Sequence, residues 1–244
     1  LNKGTSRWTN YYIEGINWLA KNNFIDGLYL DDIAFSRGTV KRIANVLSEN
    51  RGSFVIDLHS ANQFNIRDGF INSALLYMEH FPFVSRLWFG EYFEYDREPD
   101  YWMTEVSGIP FGLTGEMLEK GGRPYHGLIY GMTTRVYHNY NPGNLWKLFK
   151  DFNINESRMI GYWVDYIPIK VNNDRIKCTI FQRNNKILIS LASWSTKDEF
   201  IDLNIDWEAI NFNSSSSNLY SPEIKDLQDL NKYNIGEKIE IKAN

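Results

Sequence analysis

The sequence predicts an α/β fold: the C-terminal part of a (β/α)8 TIM-type barrel over residues 1–165, followed by a small antiparallel β-sandwich domain over 166–244. In the first part, short apolar runs alternate with segments of helical periodicity, which indicates parallel strands with helices outside them. No GxGxxG motif or phosphate-binding loop follows any run, so a barrel is favoured over an open nucleotide-binding sheet. About five strands fit here, fewer than the eight of a complete barrel. We therefore expect the missing barrel strands in the rest of a longer chain or in another chain.

The helices are predicted from the spacing of apolar residues. The first, over 7–22, places six residues near one helical face: Trp8, Tyr11, Tyr12, Gly15, Trp18 and Leu19. The second, over 36–50, begins after Ser36, a favourable N-cap residue. Further helices are predicted over 71–84, 100–106 and 143–152.

The strands of the barrel part are predicted over 27–33, 53–59, 86–92, 108–116 and 127–134. The last part changes to alternating strands separated by polar turns, over 175–182, 185–193, 199–205 and 237–242. Cys178 lies in one of these alternating stretches, which indicates a small buried packing residue. We expect Trp194 and Trp207 to pack in the core of this domain, with a sugar-binding module as the alternative. His126 and His138 are interpreted as surface residues.

Composition excludes several classes of function. Hydrophobic residues make up 43% and charged residues 23%, so the chain is expected to fold, and a net charge of −4 gives no reason to expect a nucleic-acid partner. The sequence contains no apolar run of about 18 residues, so no membrane span is predicted. Four His and one Cys show no zinc-ligand spacing, and no cofactor or metal is expected. Aromatic residues reach 16%, with 8 Trp and 15 Tyr, which favours a carbohydrate ligand.

Candidate site residues follow from the alternation of side chains along each strand. Outward positions pack on helices and are apolar, so the polar positions between them face the barrel axis. This places four residues at one mouth of the barrel: Asp31, Asp57, His59 and Glu116. In the third strand Leu87 and Phe89 face outward, which turns Trp88 inward and leaves Glu91 out of phase at the strand end.

Several carboxylates at one barrel mouth indicate acid–base chemistry. Two unit charges about 4 Å apart repel by about 4 kcal/mol at an effective dielectric near 20, so one carboxyl is expected to hold its proton. One ionised and one protonated carboxyl are what glycoside hydrolysis requires. We interpret Asp31 as the nucleophile or electrostatic stabiliser and Glu91 or Glu116 as the general acid. The residues expected to bind sugar are Asp57, His59, Asn62, Trp88 and Tyr92.

Other interpretations of the same residues stay open. Asp32 is suited to capping the next turn or pairing with Arg37. Asp57 is suited to hydrogen-bonding backbone at the barrel rim, and His59 to a structural polar cluster with neighbouring residues. A metal site formed by Asp31, Asp57 and His59 is a further alternative, although no spacing requires it.

Five segments carry a resemblance to a known family: DGLYLDDIAF (26–35), IDLHSANQFN (56–65), LWFGEYFEYD (87–96), EVSGIPFGLTGEML (105–118) and MIGYW (159–163). They resemble bacterial proteins related to glycoside hydrolase family 123, the β-N-acetylgalactosaminidases. The resemblance implies a barrel with a β-rich tail in a secreted or periplasmic protein of polysaccharide-degrading bacteria. It also implies catalysis in which the 2-acetamido group of the substrate attacks, one Asp steadies it, and an adjacent Glu is the acid.

The pair that matches this pattern is Asp31-Asp32, whose second side chain is one carbon shorter than Glu. The acid is therefore Asp32 or, in an ordinary two-carboxylate enzyme, Glu91 or Glu116. A carboxyl separation of about 5–5.5 Å would indicate retention and about 6.5–9.5 Å inversion. The predicted function is a glycoside hydrolase acting on a complex polysaccharide or glycan. The alternative is a non-catalytic carbohydrate-binding barrel.

Overall fold

The structure, a computed structural model, describes residues 6–31, 35–59, 73–89, 96–100, 113–134, 136 and 140–243. It divides the chain into two compact units, Leu1–Glu116 and Met117–Asn244. For residues 73–77, 89 and 113–116 only the backbone is described. The domain boundary predicted after residue 165 stays a prediction.

The first unit contains a parallel sheet of four strands: β1 (Gly27–Asp31), β2 (Val55–His59), β3 (Arg86–Phe89) and β4 (Leu113–Gly115). The strands lie in chain order, and each pairs in parallel with the next. Helix α1 (Arg7–Asn22) precedes β1, helix α2 (Arg37–Arg51) connects β1 to β2, and a 3-10 segment (Ser73–Phe83) lies between β2 and β3. This is the repeating strand–helix order predicted for part of a barrel, although the described residues do not form a closed barrel.

Helix α1 has the predicted length, but its aromatic face is not the one that packs. Its buried residues are Thr9, Ile13, Ile16 and Ala20. Helix α1 packs against helix α2. The aromatic stripe is exposed, with Trp8 and Tyr11 the most exposed of its members. Because both stripes repeat with helical spacing, periodicity predicts the helix without deciding which face is buried.

Local signals place the ends of α2 as predicted. Ser36 is the N-cap, but its side chain caps no backbone amide; the Ser36 carbonyl instead accepts a hydrogen bond from the Thr39 amide at 2.9 Å. Gly52 ends the helix at a φ of +78°, a conformation that glycine adopts without a Cβ penalty. At the start of β1, a Cβ on Gly27 would lie 2.1 Å from the carbonyl oxygen of Val55, so close pairing of β1 and β2 requires glycine here.

The two faces of the sheet differ as the alternation predicts. Leu30, Ile56, Leu58 and Leu87 are buried on one face. The positions between them carry the candidate site residues. The predicted division of the β1, β2 and early β3 side chains between two faces is therefore confirmed, whereas their orientation towards a barrel axis stays a prediction.

Two predicted elements of the first 165 residues were wrong or altered. The strand predicted over 127–134 is instead helix α3 (Pro124–Leu128) followed by turns. Pro124 stands at the first helical position, where its missing N–H costs nothing, and that signal outweighs the apolar run. The segment predicted as helix over 71–84 is the 3-10 segment, which contains Pro82. Helix α4 (Gly143–Phe152) has the predicted bounds.

The second unit contains helices α3 and α4 and nine antiparallel strands: β5 (Arg158–Ile160), β6 (Ile169–Val171), β7 (Ile176–Gln182), β8 (Ile187–Ser193), β9 (Glu199–Ile201), β10 (Leu203–Ile205), β11 (Leu219–Ser221), β12 (Asn231–Tyr233) and β13 (Ile239–Ile241) among the described residues. Strands β5, β7 and β8 form one sheet, and the others pair as β6 with β10, β9 with β13, and β11 with β12. The predicted strands are confirmed, with 199–205 divided into two. Four strands of three residues each were missed: β5, β6, β11 and β12.

Cys178 and two aromatic residues pack as predicted, whereas His126 does not. Cys178 is buried in an apolar cluster against which Trp207 packs, and burial raises the pKa of its thiol to about 12. Trp194 is buried. The surface position predicted for His126 was wrong: its ring is buried, stacks on Trp194 at 3.9 Å, and places Nε2 2.7 Å from the Ser193 carbonyl. His138 lies outside the described residues.

No helix in the described part of the chain is both long and apolar enough to cross a membrane.

Candidate active site

The candidate site lies on the polar face of the parallel sheet, towards the carboxyl ends of β1 and β2. In the register of the sheet Asp31 is opposite His59, Tyr29 is opposite Asp57, and Asp57 is opposite Arg86. Residues directly opposite each other in neighbouring strands point to the same side. The register therefore brings these five side chains onto one face.

Asp31, His59 and Tyr29 meet at a single ring nitrogen. His59 Nδ1 lies 3.1 Å from Asp31 Oδ1 and 2.8 Å from the Tyr29 hydroxyl oxygen. The Asp31 side chain is 74% exposed, whereas that of His59 is 17% exposed. The cluster thus pairs an exposed carboxylate, which a ligand can reach, with a largely buried imidazole ring.

Asp57 is paired with a cation that sequence reasoning missed. Arg86 Nη2 lies 2.6 Å from Asp57 Oδ2, and the two side chains are 35% and 14% exposed. The second carboxylate oxygen, Oδ1, and Arg86 Nε are buried without a hydrogen-bond partner among the described residues. The signal for Arg86 was present in the sequence, since it stands two positions before Trp88 and therefore shares its face.

Trp88 lies on the predicted inner face, but it is only 1% exposed. Its ring contacts the His59 ring edge to face, with centroids 5.9 Å apart and planes at 71°. This edge-to-face contact restricts the orientation of the imidazole ring. The role of Trp88 as a surface for a sugar ring stays a prediction.

The remaining predicted site residues lie in parts of the chain that the structure does not describe. These are Asp32, Asn62, Glu91 and Tyr92. Glu116 directly follows β4, and only its backbone is described. Where the chain is described, no group of three or more His, Cys, Asp or Glu side chains is placed to hold a metal ion. The described part of the site therefore consists of Tyr29, Asp31, Asp57, His59 and Arg86, backed by Trp88.

A parallel sheet in strand–helix order, with a reachable carboxylate at a carboxyl strand end, is typical of α/β proteins whose sites lie at that end of the strands. Two family models extend this conclusion over nearly the whole chain. Residues 1–137 match glycoside hydrolase 123, TIM-barrel domain, and residues 141–244 match glycoside hydrolase 123, C-terminal domain. The chain belongs to glycoside hydrolase family 123.

Solved structures share the fold at low sequence identity. One is a noncanonic maltogenic α-amylase from Thermotoga neapolitana, which is 8% identical and superposes with a TM-score of 0.52. The match covers 99% of this chain and 65% of the amylase chain. At this identity the likeness concerns the fold alone. Comparison with curated proteins gave no match.

Proposed function

We propose that this protein hydrolyses O-glycosidic bonds of a complex polysaccharide or glycan, with Asp31 as the carboxylate that acts on the sugar. Membership in a glycoside hydrolase family supports the reaction class. The observation that carries the assignment is the position of Asp31: it ends β1, its side chain is exposed, and it lies beside the His59 ring.

The chemistry needs negative charge beside the sugar carbon at which the bond breaks. That carbon becomes cationic in the transition state, and a carboxylate on one side of it attacks or stabilises it. Asp31 fits this role because its carboxylate is 74% exposed and lies beside the His59 ring, whereas the largely buried Asp57 carboxylate is paired with the Arg86 guanidinium. The acid that protonates the leaving oxygen is Asp32, Glu91 or Glu116 in this proposal.

The finer proposal is a substrate with a 2-acetamido group, such as an N-acetylgalactosaminide. Its basis is the adjacent pair Asp31-Asp32 at the end of the first strand. In that case the substrate's own acetamido oxygen attacks, and Asp31 steadies the developing positive charge rather than forming a covalent bond.

The test compares Asp31→Asn with Asp26→Asn in the full-length protein. Asp26 precedes the same strand and is 73% exposed, and its carboxylate pairs with Arg51 at 2.8 Å, away from the carboxyl end of the strand. Hydrolysis of aryl glycosides with and without a 2-acetamido group is measured. Removing a charge that acts in the transition state is expected to lower kcat by about 100-fold or more. Asp26→Asn is expected to match the wild type.

An unchanged rate in Asp31→Asn would overturn the assignment of Asp31. Glycan binding by calorimetry without turnover of any glycoside would instead support the alternative, a non-catalytic carbohydrate-binding barrel. A preference for 2-acetamido substrates decides the finer proposal.

A further inference from the structure

One nitrogen atom of the His59 ring faces two oxygens at once. Nδ1 is 2.8 Å from the Tyr29 hydroxyl and 3.1 Å from Asp31 Oδ1. An imidazole nitrogen offers either one proton or one lone pair, so the state of Nδ1 determines how both neighbours interact with it.

The carboxylate favours a proton on Nδ1. Without that proton, the lone pair of Nδ1 would face an oxygen of an ionised Asp31 at 3.1 Å, where both atoms are electron-rich. With the proton, Nδ1–H is attracted to Asp31 Oδ1 and to the Tyr29 oxygen together. An ionised Asp31 therefore selects the ring state in which Nδ1 donates.

We propose that His59 is a positioning residue for Asp31: Nδ1–H holds Oδ1 and leaves Oδ2 directed to the substrate. This inference rests on the proposed function of Asp31, and it gives His59 a different task from the sugar contact that the sequence predicts. An exposed carboxylate at a strand end has free side-chain rotation, and fixing one of its oxygens removes that freedom before the substrate arrives.

The ring is itself held well enough to act as the fixed partner. Trp88, buried at 1% exposure, contacts it edge to face, and the Tyr29 ring lies against it with centroids 6.2 Å apart. The Tyr29 oxygen adds a polar contact at Nδ1. His59 is thus braced by two aromatic rings, while Asp31 extends into solvent.

Two substitutions at the same position separate positioning from sugar binding. In His59→Asn, the side-chain amide occupies the place of Nδ1 and restores a donor to Asp31. In His59→Gln, the amide reaches the place of Nε2, the nitrogen that a sugar hydroxyl would contact. A positioning role through Nδ1 predicts rescue by Asn, whereas a binding role through Nε2 predicts rescue by Gln.

Steady-state kinetics of both variants in the full-length protein provide the first readout. We expect kcat of His59→Asn to exceed that of His59→Gln by about tenfold, with KM close to the wild-type value in both, because misplacement of a catalytic group lowers kcat. Higher activity in His59→Gln, or a raised KM as the main effect of either variant, would overturn the proposal. Thermal unfolding of both variants checks that each is folded.

Nitrogen-15 NMR of histidine-labelled protein provides a second readout that needs neither turnover nor a variant of His59 that folds. The wild-type Nδ1 resonance is expected in the range of a protonated nitrogen at pH 7 and to move on Asp31→Ala. An unprotonated Nδ1 in the wild type, or an unchanged resonance in Asp31→Ala, would refute the pairing. If the pairing is present and no glycoside is hydrolysed, the proposed function fails while the contact stands.

Discussion

Replacing Arg86 by Met tests whether the Asp57–Arg86 ion pair holds the parallel sheet together. Met matches the length of the Arg stem but carries no charge, so Asp57 would keep its position and lose its partner. The carboxylate is largely buried, and its Oδ1 has no hydrogen-bond partner among the described residues. After the substitution, Oδ2 would lose its Arg86 contact as well.

The expected magnitude follows from the geometry of the pair. At the observed 2.6 Å, two unit charges attract by about 6 kcal/mol in a medium of effective dielectric near 20. The cost of removing both ions from water offsets most of that attraction, so the intact pair contributes little net stability. Removing one partner leaves the other charge buried and typically costs about 3–5 kcal/mol. Because Arg86 is 35% exposed and water can reach its place, we expect about 3 kcal/mol.

Calorimetry of thermal unfolding measures this loss. For a chain of this size, about 3 kcal/mol corresponds to a decrease in Tm of about 6–12 °C. The double substitution Arg86→Met with Asp57→Asn removes both charges and is expected to recover most of the decrease. Lys147→Met provides the control: Lys147 pairs with Asp151 on the exposed face of α4, and its loss is expected to cost about 0.5 kcal/mol or less.

A double variant as unstable as Arg86→Met alone would refute the reasoning, because the loss could then not come from an unpaired carboxylate. The loss of stability would then be attributed to poor packing of Met at position 86, which both variants share. A decrease in Tm no larger than that of the Lys147→Met control would show that water already compensates Asp57.

Three further predictions concern packing. Gly27→Ala is expected to destabilise the protein by about 1–3 kcal/mol or more, because the new Cβ would lie 2.1 Å from a backbone oxygen. Gly15→Ala is expected to stabilise helix α1 by about 1 kcal/mol, because nothing lies within 4 Å of the new Cβ. Urea unfolding measures both changes, and a stability change of the same sign in both variants would contradict this reasoning. His126→Phe keeps an aromatic ring that can stack on Trp194 but removes the nitrogen that contacts the Ser193 carbonyl. Urea unfolding is expected to show a loss of about 1–3 kcal/mol. A variant as stable as the wild type would show that only the stacking contributes to stability. Since burial raises the pKa of the Cys178 thiol to about 12, a thiol reagent at pH 8 should label the folded protein far more slowly than the protein in denaturant; similar rates would mean that this core opens readily.

The predictable parts of the fold are those that local chemistry determines. Helices α2 and α4 were predicted to within about a residue because caps and apolar spacing mark their ends. The strands β7 and β8 are seven residues long, enough for alternation to show. Four three-residue strands, β5, β6, β11 and β12, were missed because alternation over three positions carries almost no information. The three-residue strands β9, β10 and β13 were predicted because they lie within longer alternating runs.

The segment 124–131 shows where a pattern of apolar residues fails. From His126 to Tyr130 every residue is buried, so no polar face distinguishes a helix from a strand. Pro124 and the positive φ of Gly131, +69°, are what determine the short helix and the turn after it. Pro124 can be recognised in the sequence, whereas the positive φ of Gly131 is known only from the structure.

Side-chain alternation placed Asp31, Asp57 and His59 on one face, but it could not predict which charges are paired. Alternation belongs to each strand separately, whereas pairing depends on register between strands, and it is the register of β2 with β3 that puts Arg86 opposite Asp57. The repulsion expected between carboxylates is therefore relieved at Asp57 by a cation. Over the described positions of this face, the negative charge that Arg86 does not offset lies at Asp31, at the exposed end of β1. A cationic sugar carbon would be stabilised most at that end, so Asp31→Asn is expected to lower kcat more than Asp57→Asn.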